Sequence, residues 1–208
     1  METLKKIWTD LAEKYCLDNL LIDQCFDKLQ KAYSEKHRYY HNIEHIKSML
    51  MEINSSKNYL DKQDELLFAA WFHDIIYNPK KHDNEGESAE AAVKMLKQLS
   101  VPDEKIQKVK ELILATANHT NNLEPDSDLS FFLDCDLKVL GTERKEYLLY
   151  AQNIRKEYKH VLSFLYSRER KKILKRFIES PTIYRTEYFR NKYEEQAKSN
   201  ILFEIQNL

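Results

Sequence analysis

Seven consecutive apolar residues, Leu66 to Phe72, run without a break into His73 and Asp74. A segment of that kind is buried or half-buried, and an unpaired charge at its edge is costly unless it finds a partner or changes its protonation. Most such segments end in a cap or a turn residue. Ending one in an imidazole and a carboxylate suggests a bound cation, seated in the angle of about 100° between adjacent helical side chains and closed off by other segments.

The rest of the chain supports helices. Two glycines and four prolines in 208 residues are too few for the turns of a sheet protein, so the expected class is all-α, with helices joined by short loops. The length allows one sizeable core and predicts a single domain. Helical periodicity places Leu21, Cys25 and Leu29 on one line behind an Asp18 N-cap. A third helix is predicted from about residue 40, carrying His41 and His45 in its first turns and Ile46, Met49, Leu50 and Ile53 inward. The fourth is predicted over 61–77 and stopped by Asn78-Pro79, which puts His73 and Asp74 in its last turns. A polar loop over 80–88 leads to a helix with Ala89, Ala92, Val93, Leu96 and Leu99 inside, followed by one with Pro102 at its first position. Further on, Gly141 reads as a helix C′ residue, and 142–159, 167–179 and 185–206 read as three amphipathic helices.

Charge excludes some partners. With 33 basic against 34 acidic residues, no global field draws the chain to nucleic acid or to a membrane, so any anion site must be local. The seven-residue run cannot span a bilayer, and no signal-peptide stretch follows Met1. Three cysteines, Cys16, Cys25 and Cys135, form no CxxC pair and fit a reducing compartment. The chain is therefore expected to be cytoplasmic. Toward the carboxyl end, Tyr184-Arg185, Tyr188-Phe189-Arg190 and Lys192-Tyr193 interleave aromatic and basic residues as single-strand binders do, but the same spacing serves a packed helix or a subunit interface.

Three segments carry metal-ligand types beside apolar runs: His45, then His73-Asp74, then Asp134 and Asp136. Imidazoles with carboxylates suit a divalent ion such as Mn, Fe, Co, Ni, Zn or Mg, with open positions for water. Each has an ordinary alternative. His45 could be a packed histidine, His73-Asp74 a helix-end pair favoured by the dipole, and the two later aspartates turn or capping groups.

In their order, these residues resemble the HD-domain superfamily of metal-dependent phosphohydrolases. Arg38-Tyr39-Tyr40-His41-Asn42-Ile43-Glu44-His45, Trp71-Phe72-His73-Asp74, Asn84-Glu85-Gly86-Glu87-Ser88-Ala89, Ala115-Thr116-Ala117-Asn118-His119, Phe132-Leu133-Asp134-Cys135-Asp136-Leu137 and Ile154-Arg155-Lys156-Glu157-Tyr158 are similar to a small bacterial group within it. The resemblance covers roughly residues 35 to 190. It implies an HD-type helical bundle with its core at about 35–160 and the helices of 161–208 packed on it. It also implies a metal-activated water that cleaves a phosphate ester or phosphoanhydride, that of a nucleotide included, in a small phosphorylated substrate.

The ligands it implies are His45, His73, Asp74 and a downstream aspartate. Asp136, followed by Leu137, looks more like that closing residue, which leaves Asp134 behind it or as a cap. By position, His41, Arg38, Lys80, Lys81 and Arg155 are the candidates to hold substrate, and arginine is the better fork for phosphate. Glu85 and His119 are the candidates for water orientation and proton transfer. Two alternatives stand beside hydrolysis: a regulatory module that binds metal or nucleotide without turnover, and an HD-type di-iron oxygenase. The sequence leaves oligomeric state open, a homo-oligomer included.

Overall fold

The computed structural model describes residues 2–118 and 127–208. Among them every regular element is helical, so the protein is all-α. The chain divides between Ala117 and Asn118 into two compact units.

The first unit holds α1 (Glu2–Ala12), α2 (Asn19–Tyr33), α3 (Ile43–Ser55), α4 (Gln63–Phe72), α5 (Asn84–Gln98) and α6 (Asp103–Ala115). Its centre is α4. That helix is apolar all round rather than on one stripe, and such a helix must be covered on every side. All of Leu66 to Phe72 is buried, and α3, α5 and α6 pack against it. Trp8 of α1 meets Phe68, Trp71 and Phe72 edge to face at ring separations of 6.1, 5.8 and 6.1 Å, and Phe26 of α2 meets Trp71 at 6.0 Å. Pairs of this geometry contribute about 0.5–1.5 kcal/mol each beyond their buried area. The one acid in the buried stretch of α4, Glu65, is paired with Lys105 of α6 at 2.9 Å.

Local signals behave unevenly. Asp18 caps α2 by accepting from Leu21 N at 3.1 Å. Asn42 caps α3 by accepting from Glu44 N at 2.9 Å, so α3 begins at Ile43 and His41 precedes the helix instead of lying one turn before His45 within it. Pro102 occupies the cap of α6 rather than its first position. The largest departure is α4, which ends at Phe72, leaving His73 and Asp74 in the turn beyond it.

The second unit holds α7 (Ser127–Asp136), a 3₁₀ turn over Leu137–Gly141, α8 (Arg144–Glu157), α9 (Ser163–Glu179) and α10 (Glu187–Asn207). Here α10 packs on the other three helices and on the 3₁₀ turn. Gly141 has no positive φ, so it is not a left-handed cap. Its role is space. A Cβ there would lie 2.5 Å from Tyr193 Cβ, 2.6 Å from the Tyr193 carbonyl and 2.8 Å from the Tyr184 hydroxyl. Asn200 fixes the same turn by donating to the carbonyls of Leu140 and Thr142 at 2.9 and 2.8 Å. A buried ion pair, Arg170 Nε to Glu204 at 2.8 Å, ties α9 to α10 and also takes the hydroxyl of Tyr147. Of the aromatic and basic residues over 184–193, Tyr184, Phe189 and Arg190 serve packing. Tyr184 and Phe189 are buried and stacked at 5.9 Å, while Arg190 donates to the Tyr184 and Arg185 carbonyls.

No helix among the described residues is long and apolar enough to cross a membrane, and the three cysteines are buried and unlinked.

Candidate metal centre

The end of α4 builds the site. A helix leaves its last four carbonyls without intrahelical donors, and each of these finds one without the helix continuing. The Ala69 carbonyl accepts from His73 N at 2.8 Å, and that of Ala70 faces His73 Nδ1 at 3.1 Å. Trp71 O accepts from the Tyr33 hydroxyl at 2.9 Å, and Phe72 O from Ile75 N at 3.1 Å.

Past the helix, side chains replace the helical ladder. Arg38 Nη1 donates to the Asp74 carbonyl at 2.6 Å and to the His41 carbonyl at 3.2 Å, while Nη2 donates to Ile75 O at 3.0 Å. The Ser88 hydroxyl accepts from Ile76 N at 3.1 Å and also reaches Ile76 O at 3.2 Å. His37 Nε2 lies 2.9 Å from the Tyr77 carbonyl, and the Asn84 amide brackets Asn78 by accepting from its N–H at 2.9 Å and donating to its carbonyl at 3.1 Å. This is why the predicted helix over 61–77 stops early: side chains from other segments take the backbone groups of 74–78 in place of a helical ladder.

The turn aims His73 and Asp74 at His45. His73 Nε2 is 3.2 Å from His45 Nε2 and 3.0 Å from Asp74 Oδ2, and His45 Nε2 is 3.9 Å from the same oxygen. Both imidazoles are buried. Burial alone would raise the Asp74 carboxyl, but the charges that His73, His41 and His45 carry when protonated, with a hydrogen bond from His73, outweigh it and hold the group well below the usual carboxylate range.

The donor types and two of the three spacings suit a divalent cation. With metal–ligand bonds of about 2.1 Å, neighbouring donors stand about 3.0 Å apart in octahedral and about 3.4 Å apart in tetrahedral coordination. With Nδ1–H directed at the Ala70 carbonyl, a neutral His73 ring turns the lone pair of Nε2 toward a carboxylate oxygen and a second imidazole. Facing lone pairs repel unless a cation lies among them. A proton on Nε2 can be aimed at one neighbour only, whereas a metal ion engages all three.

Around the triangle stands an aromatic wall. Tyr40 lies 4.9 Å from His45 between ring centroids, and His41 stacks on Tyr77 at 4.3 Å, with His37 stacked parallel to Tyr77 at 6.1 Å.

The other candidates are distributed unevenly. Arg38 does not offer its fork to a phosphate: its side chain is 1 % exposed and is engaged with Glu35 and three carbonyls. Arg155, in the second unit, is likewise a clamp, donating to the Tyr158 and Val161 carbonyls at 2.7 and 3.1 Å and to Ser163 Oγ at 3.1 Å. Lys81 pairs with Glu87 at 2.7 Å, and Lys80 is exposed. Glu85 is half-exposed in the first turn of α5. His119 lies outside the described residues.

In the second unit Asp136 is the half-buried last residue of α7. Both oxygens of Asp134 are taken, by Arg185 N at 2.8 and 3.0 Å and by the N–H and hydroxyl of Thr186 at 2.7 and 2.8 Å, which anchors the start of α10.

Tyr33, His37, Asn84 and Ser88 shape the turn although sequence reasoning gave them no role there. Asn84 and Ser88 stand in the polar stretch predicted as a loop over 80–88, but the structure puts both in the first turns of α5. Tyr33 and His37 carry no signal, because a hydroxyl or an imidazole near a helix end has many ordinary uses.

Searches of protein-family models, of curated proteins and of solved structures each return no match for this chain.

Proposed function

We propose that the chain is an HD-type metal-dependent phosphohydrolase acting in the cytoplasm on a small phosphorylated substrate. One observation carries the reading: two imidazole nitrogens and a carboxylate oxygen converge within 3.9 Å beside a covered apolar helix. His45, His73 and Asp74 would hold the ion, with Asp136 as the closing ligand that the family resemblance implies. A divalent ion there would supply an acidified water and charge neutralisation at a phosphoryl oxygen. His73 is oriented for its part through Nδ1 and the Ala70 carbonyl. Glu85 and His119 are assigned to proton handling, and Lys80 and Lys81 to the substrate's charge.

The commitment of Arg38 and Arg155 to main-chain carbonyls favours a second reading, in which the site binds metal without cleaving phosphate, as a regulatory module or an HD-type di-iron oxygenase.

The test is phosphate release from nucleotides, sugar phosphates and pyrophosphate, each with Mg, Mn, Co, Ni and Zn, comparing wild type with Asp74→Ala. Release by wild type alone supports hydrolysis. Silence from metal-loaded protein moves the assignment to the second reading.

A further inference from the structure

The geometry points to Arg38 as a positioning residue for the metal ligands, an inference that rests on the metal-binding reading above. Arg38 touches no ligand atom. What it holds is the backbone on both sides of the site: the carbonyl of His41, four residues before His45, and the carbonyls of Asp74 itself and of Ile75. Its guanidinium also lies over the Tyr33 and Tyr77 rings at 5.2 and 5.5 Å, and Glu35 takes Nε at 2.9 Å.

The need for such a clamp follows from the early end of α4. A ligand inside a helix has its φ and ψ fixed by the bonds of that helix, but Asp74 lies in a turn and lacks that restraint. Its direction is set by whatever holds its peptide group. The planar fork of arginine places two or three oxygens at once in defined directions, which a lysine ammonium, with rotatable donors and a compact charge, does not reproduce. The 3.0 Å spacing of Asp74 Oδ2 from His73 Nε2 therefore depends on a residue that would contribute nothing to the ion directly.

The experiment measures cobalt(II) binding to the full chain by calorimetry and by the visible spectrum of the bound ion, in wild type, Arg38→Lys and Ser88→Ala. Ser88→Ala loosens the same turn at Ile76 without reaching Asp74. Arg38→Lys should keep its helical circular dichroism, bind cobalt about tenfold or more weakly, and shift the spectrum, while Ser88→Ala stays within about threefold of wild type. Wild-type affinity and spectrum in Arg38→Lys would overturn the assignment, as would an equal loss in both variants. If Arg38→Lys does not fold, Glu35→Gln substitutes for it. That change removes the charge that faces Nε and leaves the carbonyl bonds, so a loss of about two- to threefold is expected and an unchanged Kd overturns the assignment. Absence of binding by wild type is a different result, which removes the metal reading itself.

Discussion

His45 and His73, 28 residues apart in sequence, point Nε2 at Nε2 across 3.2 Å. Two imidazole nitrogens do not approach so closely in a buried place without a proton or a metal between them, and the carboxylate of Asp74 makes a third neighbour.

Metal binding should therefore appear as stability. Cobalt or manganese at about one hundred times its Kd adds about 2.7 kcal/mol to a folded state that alone binds it, which raises Tm by about 5–10 °C. Thermal scans with and without a chelator measure the shift, and His73→Ala should abolish it while leaving the helical signal in place. An unchanged Tm in wild type would contradict the site.

Acid should act on the metal-free protein through Asp74. Its carboxyl is depressed on folding, so the ionised form stabilises the folded state; that contribution is complete above its unfolded value of about 3.9 and is lost as pH falls below it. The Tm advantage of wild type over Asp74→Asn should accordingly shrink as pH falls from about 5 toward 2. Parallel curves over that range would remove the assigned cause.

Gly141→Ala should be among the most damaging single-methyl additions in the second unit. The added carbon meets Tyr193 backbone and Cβ, neither of which can swing aside, and the expected loss is about 1–3 kcal/mol or more. Urea unfolding measures it. A neutral result would mean that the start of the fold around the 3₁₀ turn yields more than its contacts suggest.

Asp134→Asn tests the anchor of α10. The carboxylate accepts from three donors, and an amide would turn one N–H toward another, so a loss of about 1–3 kcal/mol is expected without change in metal affinity. Loss of metal with no loss of stability would exchange the roles given to Asp134 and Asp136.

Much of the fold is legible in the sequence. The scarcity of glycine and proline pointed to helices, the Leu66–Phe72 run to a covered helix, and Asp18 to a cap. His73 and Asp74 stand out because polar residues at the end of an apolar run need a partner, and His45 joins them as a ligand type on another helix and through the family resemblance. The end of α4 was not legible, since it depends on Arg38, Ser88 and Asn84 reaching a backbone that is distant in sequence. Arg38 and Arg155 misled for the same reason: an arginine near a site looks the same in sequence whether its fork meets a phosphate or a carbonyl.

The placement of the triangle beyond the carbonyl end of α4 also bears on the order of events. A helix carries about half a negative charge at that end, and Asp74 adds a full one. With the imidazoles neutral, an anionic molecule arriving first would meet repulsion from both, while a cation would be drawn in by both. On the proposed metal-binding reading the order would follow from electrostatics: the ion first, and an anion only after it.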